Sequence, residues 1–289
     1  MSNAANFRKL LTSGKMVIAP GAIDCITGRA IAQAGFSAAY MTGAGTSATL
    51  GYPDYGLITM SEMVGNASRI ANSIDIPLIS DSDTGFGNEL NVFRTVQEFE
   101  RAGVAAIHIE DQVFPKKCGH LDNKELVSRE DFIAKIRAAS AARRSKDFCI
   151  IARTDSRAVV GLDEAIERAN AALANGADVA FVEAPQTMAE IESVPKRVNG
   201  PCLLNVVRGG KTPEIDLDVA ERMGYAIAIV PGLLLGGIIQ TCDRLLGDLK
   251  QGKFPPVTGS PGKTFARFGA AEWDERRTAF RDPVKAAAE

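Results

Sequence analysis

The chain has 289 residues, 46% of them hydrophobic and 24% charged, a balance suited to a globular protein with a large buried core. Thirty-three lysines and arginines against 35 aspartates and glutamates leave a net charge of −2 with both signs mixed, which argues against nucleic acid or a membrane surface as partner. No apolar run reaches the ~18 residues of a membrane span, and Met1 to Lys9 lack the apolar core of a signal peptide, so a cytoplasmic protein is expected.

In chain order, short apolar runs with the character of buried parallel strands recur at Met16–Gly21, Ala38–Gly43, Ile76–Asp83, Ala105–Asp111, Phe148–Asp155, Asp178–Ala184, Pro201–Val207 and Tyr225–Gly232. Helical spacing fills the intervals, as in Asn91–Arg101, where Val92, Phe93, Val96 and Phe99 recur, and in Arg129–Arg144, Leu162–Asn175 and Thr187–Val198. Gly35, Gly103, Gly176 and Gly224 each stand where a helix must stop before the next strand. Eight strand–helix units in about 230 residues predict an α/β fold of the (β/α)8 TIM-barrel type. A doubly wound sheet is the alternative, but no G-x-G-x-x-G follows the first strand. Residues 1–250 are assigned to the barrel and 251–289 to a linker and a C-terminal helical tail. Gly252-Lys253-Phe254-Pro255-Pro256 breaks the pattern, Thr264–Arg281 is an amphipathic segment for docking on its own barrel or a neighbouring subunit, and Ala286–Glu289 is expected to fray.

A barrel places chemistry at the carboxyl ends of its strands, and here those ends are polar. They read Thr42-Gly43, Asp81-Ser82-Asp83, Glu110-Asp111, Arg153-Thr154-Asp155, Glu183 and Asn205. Asp81 and Asp83, two apart on a strand, project to one face. With Glu110 and Asp54 they form an all-oxygen set suited to Mg²⁺ or Mn²⁺. The competing reading is a carboxylate cluster neutralised by Arg153 and lysines with no metal. Arg153 suits a bidentate grip on a substrate carboxylate, or a pairing with a neighbouring aspartate. Thr42-Gly43-Ala44-Gly45-Thr46-Ser47 offers backbone amides and hydroxyls to an anion but lacks the G-K-[ST] of a nucleotide loop. His108 shares a strand face with Glu110. Five cysteines without a C-x-x-C pair exclude a disulfide framework. Of these, Cys118 has polar company in Lys116-Lys117-Cys118-Gly119-His120-Leu121, where two cations and an imidazole are expected to depress the thiol pKa.

That hexapeptide resembles the loop of the isocitrate lyase and phosphoenolpyruvate mutase superfamily, in its lyase branch. The likeness extends over residues 6–250 and includes Pro53-Asp54, Asp81 to Gly87, His108 to Gln112, Ala152 to Asp155 and Glu183-Ala184. The resemblance implies a Mg²⁺ faced by Asp81 and Asp83, with Asp54 and Glu110 acting through its waters. It implies that Thr42, Gly43 and Ala44 hold the oxo or hydroxy end of a small carboxylate substrate, that Arg153 binds its carboxylate, and that Glu183 and Asn205 border the rest of the pocket. Lys116 to His120, including Gly119, become a gating loop, Cys118 the general acid and Tyr40 a partner in proton transfer. A homotetramer is implied as well. The strand-eight end, Pro231-Gly232-Leu233, carries no hydroxyl, and the chain is short for an isocitrate lyase. The expected activity is therefore cleavage of a small branched 2-hydroxy acid, 2,3-dimethylmalate- or methylisocitrate-like with the former favoured, to pyruvate and a short carboxylic acid. Oxaloacetate hydrolysis, a phosphonate mutase and a non-catalytic dicarboxylate-binding barrel are the alternatives.

Overall fold

The computed structural model describes residues 2–256 and 259–281, so the expected frayed end lies outside the described residues. Eight parallel strands, β1 (Val17–Ala22), β2 (Ala39–Met41), β3 (Leu78–Asp81), β4 (Ala106–Glu110), β5 (Cys149–Thr154), β6 (Val179–Val182), β7 (Cys202–Asn205) and β8 (Ile227–Val230), form a closed barrel in sequence order. β8 returns to β1 with Val17 beside Ile227. The strands are almost wholly buried and rich in Ile, Val and Ala, the composition of sheets covered on both faces. The predicted (β/α)8 architecture is the one observed.

Alternation along the strands decides where chemistry can appear. Ile79, Ala106, Ile151, Phe181, Leu203 and Ile227 belong to one cluster, the barrel interior, whereas neighbours such as Leu78, Ile107 and Ile150 pack with the helices outside. Two residues beyond the interior set come Asp81, His108, Arg153, Glu183 and Asn205, all buried. The polar site is thus the next interior layer, in the same register that fills the core with hydrocarbon.

The covering helices start on side-chain caps, as where Asn88 caps Glu89–Arg101 and Thr59 forms a capping box with Glu62. The four glycines expected to end helices all have left-handed φ, between 85° and 107°. Strands are shorter than their apolar runs. The expected Ile76–Asp83 ends at Asp81, and Asp83 has φ 47°, so strand parity does not govern it. The segment Thr264–Arg281 is divided between two helices, Pro261–Ala266 and Ala270–Arg281, separated at Gly269 with φ 78°. The chain divides into two compact units, Met1–Gly237, which contains the barrel, and Ile238–Glu289. Among the described residues no helix is long and apolar enough to cross a membrane.

Candidate active site

The layer above the core opens into a cavity of about 130 Å³ bordered by Tyr40, Asp81, Cys118, His120, Arg153 and Asn205, among others. Thr42, Ala44, Asp54, Gly119 and Glu183 also reach it, whereas Asp83, Glu110 and Lys116 stand behind its wall. Pockets for drug-sized ligands measure about 300–1,000 Å³, so this cavity suits a smaller molecule.

Arg153 organises one side. Its Nε and Nη2 donate to Asp155 Oδ2 and Oδ1 at 2.9 and 3.2 Å, its Nη1 lies 3.0 Å from Glu110 Oε2, and Nη2 is 3.7 Å from Glu183 Oε1. Of the two roles weighed for this arginine, the pairing with a neighbouring aspartate is the one observed, and the side chain also borders the cavity. Burial opposes charge on Asp155, but Arg153 and Lys124 outweigh it and hold the carboxyl down to about 2. Glu183 in turn receives both bonds from Asn205 Nδ2, each 3.2 Å.

The opposite side gathers acids around one lysine. The Lys116 ammonium donates to Asp54 Oδ1 at 2.6 Å and lies 2.9 Å from Asp83 Oδ1, with only 2% of the residue exposed. Burial alone would lower its pKa, but Asp83, Glu110 and Asp54 raise it well above the ordinary value. Asp81 accepts the Gly43 amide at 3.2 Å and the Asp83 amide at 2.9 Å. Burial works against its charge as well, yet His108, Lys116 and Arg153 bring it down to about 2. The anion cradle expected at Thr42-Gly43-Ala44 is the first turn of the helix Gly43–Thr49, and the Gly43 amide is engaged by Asp81 rather than open to a ligand.

The donor set suits a hard divalent cation. Glu110 Oε1 is buried without a hydrogen-bond partner, while Asp83 Oδ1 and Glu110 Oε2 face only the charged groups of Lys116 and Arg153. Burial drives Asp83 up to about 6, with Lys116 only partly relieving it, and raises Glu110 well above its usual range. Negative charge here exceeds what Lys116 and Arg153 balance, which is the condition for a metal to be taken up by oxygen ligands. Among the described residues no three His, Cys, Asp or Glu side chains converge at coordinating distance, and the Lys116 ammonium stands between Asp54 and Asp83.

Tyr40 and His108 meet inside the barrel, phenol oxygen to Nε2 at 2.8 Å, and His108 Nε2 lies 3.5 Å from Asp81 Oδ1. Burial pushes His108 down to about 4 and raises Tyr40 well above 10, so both are neutral at physiological pH.

The loop after β4 lies over the cavity and is tied down along its length. Gln112 pairs with both backbone groups of Lys117, accepting at 3.0 Å and donating at 2.8 Å. The Cys118 amide donates to the Asp54 carbonyl at 3.1 Å. His120 Nδ1 accepts the Lys211 amide at 3.0 Å, and its Nε2, 3.4 Å from Glu183 Oε1, is left to carry the proton. Lys211 also pairs with Asp122. Gly119 is the point of closest approach, because a Cβ there would lie 2.2 Å from Glu183 Oε1 and 2.5 Å from Arg153 Nη2. Only a glycine seats the loop this deeply.

The thiol of Cys118 corrects one expectation. Its pKa is raised rather than depressed, first by burial and then by the Asp54 carboxylate, with Arg153 lowering it less. Neighbours in sequence are not its neighbours in space. Lys116 turns to the aspartates and Lys117 donates to the Asn123 carbonyl. The cysteine is therefore a protonated thiol at neutral pH. Lys124, Asp155, Asp111, Gln112 and Lys211 build this site although sequence reasoning gave them no role; Asp111 and Asp155 carried a signal as charges at strand ends, and Gln112 only as part of the stretch that resembles the family.

The profile of the phosphoenolpyruvate phosphomutase family matches residues 7–249. The chain is 50% identical to a 2,3-dimethylmalate lyase of Eubacterium barkeri over 80% of each chain. It is 43% identical to a 2-methylisocitrate lyase of Aeropyrum pernix, over 84% of this chain and 79% of the relative. Among solved structures, an oxaloacetate acetylhydrolase in complex with 3,3-difluorooxalacetate superposes with a TM-score of 0.93 at 36% identity, over 96% of this chain and 97% of that one. A lyase-type enzyme was expected from the loop and the strand ends, and with these matches the chain belongs to the PEP mutase/isocitrate lyase superfamily.

Proposed function

We propose that the protein is a metal-dependent carbon–carbon lyase that cleaves a small branched 2-hydroxy diacid of the 2,3-dimethylmalate type to pyruvate and a short carboxylic acid. The observation that carries this reading is the Cys118 thiol, kept protonated by burial and held over a small cavity bordered by Arg153, Asp81 and Tyr40. A carbanion released by bond cleavage needs a proton at that place, and a thiol of raised pKa can deliver one.

Asp81 and Asp83, with Asp54 and Glu110, are the residues that would hold the Mg²⁺ or Mn²⁺, which when bound would supply positive charge to the substrate 2-oxygen as it becomes a carbonyl. Arg153 grips the substrate carboxylate, and Thr42 and Ala44 border its oxygenated end. Tyr40, held by its bond to His108 Nε2, is the partner that relays the hydroxyl proton, which returns to Cys118 as the cycle closes. The bond between carbons 2 and 3 then breaks, its electron pair going to carbon 3 and the neighbouring carboxylate. Cys118 gives its proton to carbon 3, and the product acid leaves with a new C–H bond. Glu183 and Asn205 keep His120 and Arg153 in place, and the seated loop excludes water that would quench the carbanion unselectively. Val207, Pro231 and Leu235 add an apolar wall to the cavity, which suits a methyl substituent.

Oxaloacetate hydrolysis is the second reading, favoured by the close superposition on the acetylhydrolase. Assembly as a homotetramer, and the division into a catalytic barrel over 1–250 and a tail, belong to the same proposal. The test is turnover of 2,3-dimethylmalate, 2-methylisocitrate and oxaloacetate with Mg²⁺, reading pyruvate and oxalate in parallel. Pyruvate from the branched malate, lost with EDTA and lowered about 10²–10⁴-fold in Cys118→Ala, is the expected result. Oxalate from oxaloacetate alone would replace the lyase reading with the hydrolase one, and silence on all three would refute both.

A further inference from the structure

The return limb of the loop carries a lysine that the proposed chemistry leaves without a part. Lys124 has a side chain only 1% exposed, which for a lysine requires paired partners. Its ammonium donates to Asp155 Oδ1 at 2.8 Å and to the backbone carbonyl of Gly119. Asp155 is the carboxylate that receives Arg153 through two bonds. The backbone amide of Asp155 donates to Asp111 Oδ1 at 2.8 Å, and Asp111 is itself fixed by Thr154 at 2.6 Å and Arg168 at 3.1 Å. A chain of buried bonds thus runs from the helix Leu162–Ala174, which carries Arg168, through the end of β5 to the carbonyl of Gly119, the residue after Cys118. Lys124 does not border the cavity, so it touches no substrate.

We propose that Lys124 is a positioning residue, a buried strut that sets the depth of the Cys118–Gly119 segment over the cavity by tying the Gly119 carbonyl to the Asp155–Arg153 pair. An ammonium suits the task because its three donors can serve a carbonyl and a carboxylate at once. The loop's seat and the orientation of the carboxylate-gripping arginine then share one support, and the thiol lies at a fixed height above the group that anchors the substrate. The catalytic consequence rests on Cys118 being the proton donor, whereas the seating of the thiol does not.

The experiment is peptide-resolved alkylation with iodoacetamide on the full chain without substrate, comparing wild type with Lys124→Met (K124M) and Lys124→Arg (K124R). Cys149 and Cys202, buried in the barrel, report general loosening. In K124M, Cys118 is expected to react about tenfold faster or more, in line with an exposed thiol, while Cys149 and Cys202 stay silent. K124R, with donors for both acceptors, recovers part of the protection. With a turned-over substrate, kcat falls by about 10²-fold while KM stays within about twofold, since displacement by 1 Å suffices for that loss. Unchanged labelling of Cys118 in K124M overturns the proposal, and so does labelling that rises in step at Cys149 and Cys202. Should K124M fail to accumulate as folded protein, Lys124→Gln, which keeps a donor for Gly119 without the charge, is read by the same two criteria. Absence of turnover on every acid tested would count against the proposed function and leave the labelling result standing.

Discussion

Replacing Gly119 by alanine isolates the seating of the loop from its backbone freedom. Gly119 does not have a left-handed φ, so alanine fits the backbone there, and the penalty is purely one of space. The new methyl would lie 2.2 Å from Glu183 Oε1, 2.6 Å from Glu183 Cγ and 2.5 Å from Arg153 Nη2, where ordinary contacts begin at 3.4 Å. Neither neighbour can retreat cheaply. Arg153 is held by Asp155 at 2.9 Å and Glu110 at 3.0 Å, and Glu183 by Asn205 at 3.2 Å. The loop must therefore lift by about 1 Å, a misplacement that costs about 100-fold in rate. That factor equals about 2.7 kcal/mol of barrier. The assay is kcat/KM on the acid the wild type cleaves, with thermal unfolding and Cys118 alkylation on the same samples. The expected variant is slow, labels faster at Cys118 and melts within about 2 °C of wild type, because the barrel below is untouched. Turnover within about threefold of wild type would refute the steric argument, since a loop 1 Å too high could not sustain it. A large fall in melting temperature would also refute it, by placing the cost in the fold.

Two further outcomes follow from the same geometry. The alkylation rate of Cys118 tracks its thiolate, and with the pKa raised by burial the midpoint of the rate–pH profile is expected above that of a solvent-exposed cysteine. Removing the Asp54 charge, the next contribution after burial, should move the midpoint down; a wild-type midpoint near neutrality would contradict the burial of the thiol. In the helix Met60–Ala71, Gly65 has nothing nearer to a new Cβ than Arg69 Nη1 at 3.9 Å, so Gly65→Ala should stabilise the protein by up to about 1 kcal/mol. A lower urea midpoint would reveal a constraint on that helix face beyond those described.

The barrel was legible because its strands announce themselves twice, first by eight apolar runs and then by a polar residue at the end of most of them. Glycine stops between helices and strands supplied the phase. Asp81, Arg153, Glu183 and Asn205 could be picked from sequence because each sits two positions beyond a core residue, and a period of two survives in the bare string. Asp83 escaped that logic, as its left-handed backbone follows a turn and not the pleat. The thiol escaped it for another reason. Charge in a sequence has position but no direction, and the lysines flanking Cys118 spend their charge on Asp83, Asp54 and a carbonyl. The supports of the loop, Lys124 and Lys211, lie on segments whose local pattern says only that they are polar. Their roles arise from contacts such as that of Lys211 with His120, 91 residues apart, which no short window contains.

The six residues from Lys116 to Leu121 cannot be moved as a cassette. Their anchorages include residues from several different barrel connections, among them Asp54 following β2, Gln112 following β4, Asp155 following β5, which acts through Lys124, and Lys211 following β7. Transplanted alone onto a foreign barrel, the hexapeptide would arrive with its thiol but without the moorings that keep that thiol dry. Conversely, a designer who wishes to retune the proton donor of this scaffold has several handles outside the hexapeptide, each reachable without altering a residue of the hexapeptide itself.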